Sequence, residues 1–186
     1  MKLAITTAAF ALAFAAMLHA EEQTTTVRII GISEASRVED FRTAVTTVPE
    51  LQLVSVDGDK ATATLRYDVA TLVAKPKPKP EDITPAKIVQ QIDNLIGKAS
   101  NRTFTITEPT GIAEDQLAKV EFKIGVLDCK ACRYGAYQIV GKIAGVERAN
   151  VNPENHTLTA WIDSSKTSKE ALEAALKKAR VELPAN

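Results

Sequence analysis

One pattern of strand and helix signals is written twice in this sequence, and that repeat limits the possible folds more than any other feature. An offset of 95 positions sets Ile30 on Gly125, Leu51 on Val146, Val56 on Val151 and Asp68 on Asp163. A chain of 186 residues has room for one or two domains, so two copies fill it.

The second copy is the easier to read. Val120, Phe122 and Ile124 alternate with charged residues, the period of a half-buried strand. From Cys132 to Ala144, the residues Ala136, Ile139, Val140 and Ile143 fall at helical spacing, and Gly145 supplies the stop. Val146 to Val151 and His156 to Ile162 read as strands around an Asn152–Asn155 turn. Thr167-Ser168-Lys169-Glu170 has the capping-box pattern and opens a helix with Leu172, Ala175, Leu176 and Ala179 on one face. Val181 to Leu183 completes the series as a short last strand.

The first copy repeats the order. Val27 to Ile30 is a strand, and Ser36-Arg37-Val38-Glu39 is a second capping-box pattern before a helix with Phe41, Val45 and Val48 inward. Leu51 to Val56 and Ala61 to Tyr67 flank the hairpin signal Asp57-Gly58. Thr84-Pro85 pairs an N-cap with proline at the first helical position, and Ile88, Ile92 and Leu95 or Ile96 form that helix's stripe. Thr103 to Ile106 closes the unit. An insertion, Lys75-Pro76-Lys77-Pro78-Lys79-Pro80, favours extended backbone and a stiff solvated loop.

The pattern predicts an α+β protein of two tandem ferredoxin-like βαββαβ domains, each a four-stranded antiparallel sheet with two helices on one face. The expected boundaries are 24–108 and 117–186, joined by a linker at 109–116 that carries Pro, Gly and acids without periodicity.

Residues 1–20 are expected to be a signal peptide. Lys2 precedes an apolar run to Leu18, and Leu18-His19-Ala20 stands before Glu21-Glu22-Gln23. The run is shorter than the ~20 residues that span a bilayer, and no cysteine follows it as a lipid anchor. The expectation is an exported protein, periplasmic or secreted, with no membrane segment beyond the leader. Its 23 Lys+Arg balance its 23 Asp+Glu, so no broad nucleic-acid surface is implied.

Loss of the leader would remove Met1, Met17 and His19, leaving His156 as the one histidine and no methionine. Any soft-metal site must then use Cys129 and Cys132. They lie in Gly125-Val126-Leu127-Asp128-Cys129-Lys130-Ala131-Cys132, between strand one and helix one of the second copy. The three-residue spacing turns both sulfurs toward one point when the second cysteine is in the first helical turn. Free N–H groups and the helix dipole there favour thiolates, Lys130 and Arg133 add positive charge, and Asp128 opposes it. Two thiolates without further donors suit a soft, two-coordinate ion such as Cu(I) or Hg(II); structural zinc wants four ligands.

This half resembles the heavy-metal-associated domain family, the module of copper chaperones, metal-ATPase N-terminal domains and the periplasmic mercury-binding protein. That family's loop reads Gly-Met-Thr-Cys-x-x-Cys, and the resemblance covers about residues 117–183. It implies that Cys129 and Cys132 are the metal thiolates. Leu127 stands for the family's Met, Asp128 for its Thr and Val126 for its Gly, while Gly145-Val146 matches the Gly-Val after the helix. Ala179-Arg180-Val181 replaces the common Gly-Tyr pair, which leaves Arg180 as a group able to approach the sulfurs. The first half is the same module without cysteines: Glu34 falls on Cys129 and Arg37 on Cys132. Neither binds a soft ion, and one carboxylate is too few for a hard one.

The functional expectation is an exported heavy-metal-binding protein that sequesters the ion or passes it to a partner, either a metal transporter or another thiol-bearing protein. The alternative is a non-metal interaction module whose Cys pair is a disulfide or vestigial. A thioredoxin-like enzyme would need a different strand and proline arrangement, and Arg133 in place of His excludes haem attachment. Without a Ser/His/Asp set, a phosphate-binding glycine loop or a distinctive acidic pair, no enzyme is expected.

Overall fold

The computed structural model describes residues 22–73, 83–125 and 129–184. The predicted leader, the Lys-Pro insertion and Val126, Leu127 and Asp128 of the cysteine loop lie outside the described residues.

The first half runs β1 (Glu22–Ile30), α1 (Arg37–Thr46), β2 (Leu51–Asp57), β3 (Thr62–Asp68), the short α2 (Val69–Leu72), α3 (Pro85–Ala99) and β4 (Thr105–Thr107). Its sheet has the order β2-β3-β1-β4, with every neighbouring pair antiparallel. β1 starts five residues before the apolar pattern does. Glu22 to Thr26 pair with Thr64 to Asp68 of β3, but they are mostly exposed, so backbone pairing rather than hydrophobic alternation defines them.

Phe41, Val45, Leu65, Ile92 and Ile96 fill the first core, and Phe41 meets Phe104 edge to face at 5.3 Å. Thr84 caps α3 as expected, its Oγ1 accepting the N–H of Lys87 at 3.3 Å ahead of Pro85. The capping box expected at Ser36 does not form. Ser36 already has helical φ and ψ, and a tight turn precedes α1 through Arg37 N–H to the Glu34 carbonyl. The Ser36 hydroxyl donates instead to Glu34 Oε1 at 2.8 Å.

After a 3-10 turn at Glu114–Gln116, the second half runs β5 (Ala118–Lys123), α4 (Lys130–Gly141), β6 (Val146–Asn152), β7 (Thr157–Ile162) and α5 (Lys169–Lys178). Among the described residues its sheet has three strands, β5-β7-β6, not the four expected. Val181 to Leu183 form no ladder. Arg180 turns the chain with φ +60°, Val181 and Leu183 pack on the core, and Gly125 N–H donates to the Glu182 carbonyl at 2.7 Å. Gly125 suits that approach, because a Cβ would sit 2.9 Å from Glu182 Cβ, which the flexible end of the glutamate cannot relieve.

Three smaller differences have local causes. The cap of α5 is Ser168, one residue after Thr167, and its Oγ accepts the N–H of Ala171 at 3.3 Å. His156 has φ +51° and belongs to the turn, so β7 begins at Thr157. On α4 the buried residues are Ala136, Tyr137, Val140 and Gly141, while Ile139 on the helix and Ile143 just beyond it are only partly covered.

The halves meet along a polar seam with one apolar seat. Ile30 of β1 packs in the core of the second half. Val151 N–H donates to the Ser33 carbonyl at 2.8 Å, and Arg28 donates to the Glu147 carbonyl at 2.8 Å.

Candidate functional site

The cysteine pair stands where β5 hands over to α4. Ile124 N–H donates to the His156 carbonyl at 2.9 Å, which together with the Gly125–Glu182 bond fixes the strand end. Across the loop, Cys129 is the N-cap of α4. Its backbone is extended, with φ −89° and ψ 137°, and its Sγ accepts the N–H of Cys132 at 3.0 Å. A sulfur thus does what a serine or aspartate oxygen usually does for the free N–H groups of a first turn. Cys129 and Cys132 are both exposed and are joined as a disulfide, with their Cα atoms 5.2 Å apart.

The geometry brings together the two residues the sequence singled out and sets both sulfurs at the positive end of α4. As a disulfide the pair has no anionic sulfur for a metal. As two thiols the same positions offer a soft ion two donors at an exposed helix end, which matches the chemistry of Cu(I) or Hg(II) and not that of a four-ligand ion. Among the described residues there is no group of three or more His, Cys, Asp or Glu side chains able to hold a metal.

Lys130 and Arg133 face the first half. Arg133 Nε lies 3.3 Å from Glu34 Oε2, and Lys130 Nζ lies 3.9 Å from both Glu34 Oε1 and Asp40 Oδ2. Glu34, the residue aligned with Cys129, therefore meets the helix that carries the cysteines. Arg37, aligned with Cys132, pairs with Asp40 at 2.7 Å, donates to the Gly31 carbonyl at 3.2 Å and stacks over the rings of Phe104 (4.4 Å) and Tyr134 (5.3 Å). Arg180 is exposed at the end of α5.

Two tyrosines complete the contact. The Tyr134 hydroxyl donates to the Thr103 carbonyl, and the Tyr137 hydroxyl accepts the N–H of Gly31 at 2.7 Å. Burial pushes the Tyr137 phenol up to about 12, against an ordinary 10.0. Burial also raises Tyr134. Gly31 has φ +132°, and a Cβ there would lie 2.5 Å from the Thr103 carbonyl oxygen, so only glycine presents its N–H to Tyr137.

Lys130, Arg133, Tyr134 and Tyr137 are spaced i, i+3, i+4 and i+7, one stripe of α4 turned toward the first half. Sequence reasoning missed this second stripe because it mixes cations with aromatics and does not read as apolar. Trp161 lies on the opposite side of β7 from Leu158 and Ile162. It is half-buried between Arg148, 4.2 Å over its ring, and Lys119 at 5.9 Å. Arg148 is also held by Glu114, whose carboxyl is kept below its usual range by that hydrogen bond.

No family model and no curated protein matches the sequence. Among solved structures, the chain is similar to the CopZ metallochaperone at 21% identity, covering 36% of this chain and 100% of that one, with a TM-score of 0.35. It is similar to the water-soluble region of the P-type ATPase CopA from Bacillus subtilis at 19% identity, over 90% of this chain and 93% of that one, again with a TM-score of 0.35. Oxidized MerP from Ralstonia metallidurans CH34 is 25% identical over 36% of this chain and 96% of that one, with a TM-score of 0.31.

Proposed function

We propose that this is an exported heavy-metal-binding protein whose second half takes Cu(I) or Hg(II) between reduced Cys129 and Cys132. The observation that supports this reading is the convergence of two exposed sulfurs at the capped start of α4. Two-coordinate thiolates leave an incoming sulfur room to attack the ion, which suits storage followed by ligand exchange with a thiol-bearing protein or a metal transporter. The leader 1–20 and a periplasmic or secreted location belong to this proposal, as do the domain limits 24–108 and 117–186. The reading includes no catalysis.

A second reading is favoured by the bond between the sulfurs: an interaction module in which the disulfide simply fixes the loop. Titration of the reduced mature chain with Cu(I) against a competing chelator separates the two. Uptake of one ion per chain, lost in Cys129→Ser and in Cys132→Ser, is the expected result. Failure of the reduced wild-type protein to take up the ion overturns the metal reading and leaves the second.

A further inference from the structure

The sheet of the second half has one edge covered and one edge open. β6 lies against the first half, where Val151 N–H donates to the Ser33 carbonyl at 2.8 Å and the Glu147 carbonyl accepts from Arg28 at 2.8 Å. β5, at the other edge, pairs with β7 alone. Backbone groups alternate in direction along such a strand. Ile124 N–H points to the β7 side, through the His156 carbonyl, and Gly125 N–H points away from it, to the Glu182 carbonyl. By that alternation the N–H and C=O groups of Lys119, Glu121 and Lys123 face outward. Among the described residues, those of Lys119 and Glu121 meet no backbone partner. The residues after α5 do not complete the ladder. Continuing the antiparallel register from Glu182 opposite Gly125 sets Pro184 opposite Lys123, where proline has no N–H to give. Ala118 and Val120 are left half-buried along this edge, apolar side chains that a further strand would cover.

We propose that the open edge of β5 is the contact surface for a second copy of this chain, the β5 strands of both copies pairing antiparallel across a two-fold axis at Val120. Pairing of identical strands must set outward backbone groups against outward groups, which limits the registers. With the axis at Lys119 or Glu121, like charges stand opposite each other. With the axis at Val120, Lys119 of each copy faces Glu121 of the other, and each such pair exchanges both of its backbone hydrogen bonds. An axis at Phe122 also opposes unlike charges, but it brings the second copy against Glu182, already bonded to Gly125, and against Leu183 and Pro184 beside Lys123. Lysines commonly guard an edge strand from pairing. Here a glutamate alternates with them, and Lys119 and Glu121 stand 2.8 Å apart on the exposed face of one strand, so the Val120 register turns the guard into an attraction. A single strand pair buries less than the ~1,200 Å² at which stable interfaces begin, so the dimer is reversible and grows with concentration. The inference goes beyond the metal reading and uses neither cysteine.

Sedimentation velocity of the full mature chain, without metal, is expected to show monomer giving way to dimer between ~1 μM and ~1 mM. Lys119→Glu and Glu121→Lys each set like charges together on both sides of the axis, and each should weaken association about tenfold. An equimolar mixture of the two variants should recover the wild-type constant within about threefold, because each meets its complement in the other. The Lys119–Glu121 contact within one strand cannot produce that recovery, since mixing restores it in neither variant. Register is read by crosslinking with oxidised glutathione in a Cys129→Ser/Cys132→Ser background. Val120→Cys should give a disulfide-linked dimer, because residues opposite each other in a non-hydrogen-bonded pair have Cα atoms ~4.5 Å apart. Ala118→Cys, opposite Phe122 of the second copy, should not. A monomer at every concentration overturns the proposal and leaves the edge to a strand of another protein. A dimer indifferent to both charge variants, or equal crosslinking of both cysteine variants, overturns it by placing the contact elsewhere.

Discussion

The turn from first strand into first helix is built twice in this chain, with opposite chemistry. In the second half, Cys129 caps α4 from an extended backbone and its sulfur is exposed. In the first, Ser36 is already helical and its side chain bonds sideways to Glu34. Arg37 lies beneath, between two aromatic rings. One turn is open toward solvent and presents a pair of sulfurs; the other is closed against its neighbour and presents charge. The comparison teaches that the cysteine-free turn of the first half is not an idle loop: Glu34 and Arg37, at the positions that the offset sets on the cysteines, are in contact with α4.

If the seam makes the halves one cooperative body, damage to one interior should unfold both. Phe41→Ala in the first core is expected to cost about 3–5 kcal/mol. Fluorescence of Trp161, the chain's one tryptophan, should lose its folded signal in the same transition that far-ultraviolet circular dichroism follows. A Trp161 transition left at its wild-type midpoint would separate the halves.

Tyr137→Phe sharpens the comparison at the seam. It strands the Gly31 N–H in a buried position, at a cost of about 1–3 kcal/mol in denaturant titrations near neutral pH. The pH dependence has a definite sign. The unfolded chain releases the Tyr137 proton near 10.0 and the folded chain near about 12. The stability from this group is intact below the first value and is lost as pH rises toward the second. The difference between wild type and Tyr137→Phe should therefore narrow over that window. A constant difference would place the phenol in water.

The smallest expected effects compare the two serines. Ser168→Ala removes a side-chain cap from α5 and should cost about 1 kcal/mol. Ser36→Ala removes no cap and should stay within about 0.5 kcal/mol. Thermal midpoints of the two variants decide it, and equal losses would mean that Ser36 does more than the geometry allows.

Apolar periodicity and turn chemistry made most of this architecture legible. Ile88, Ile92 and Ile96, the Thr84-Pro85 cap, and Leu172 and Leu176 lie where their spacing places them. The exposed start of β1 was not legible, because its pairing uses backbone groups that carry no side-chain signature. Neither was the missing strand at 181–183, where two apolar residues dock without a ladder. The meeting of Cys129 and Cys132 follows from their spacing, whereas the carboxylates of Glu34 and Asp40 that Lys130 and Arg133 approach lie 90 and more positions away. Only the docking of one half on the other supplies them.

Ile30 has a consequence for how the molecule is held together. Its side chain belongs by sequence to one half and by packing to the interior of the other. A cut through the connecting segment would leave two fragments, each completing a surface that the other exposes when alone. Covalent continuity between them therefore governs how quickly the pieces find each other, while their adhesion afterwards belongs to the matched surfaces themselves.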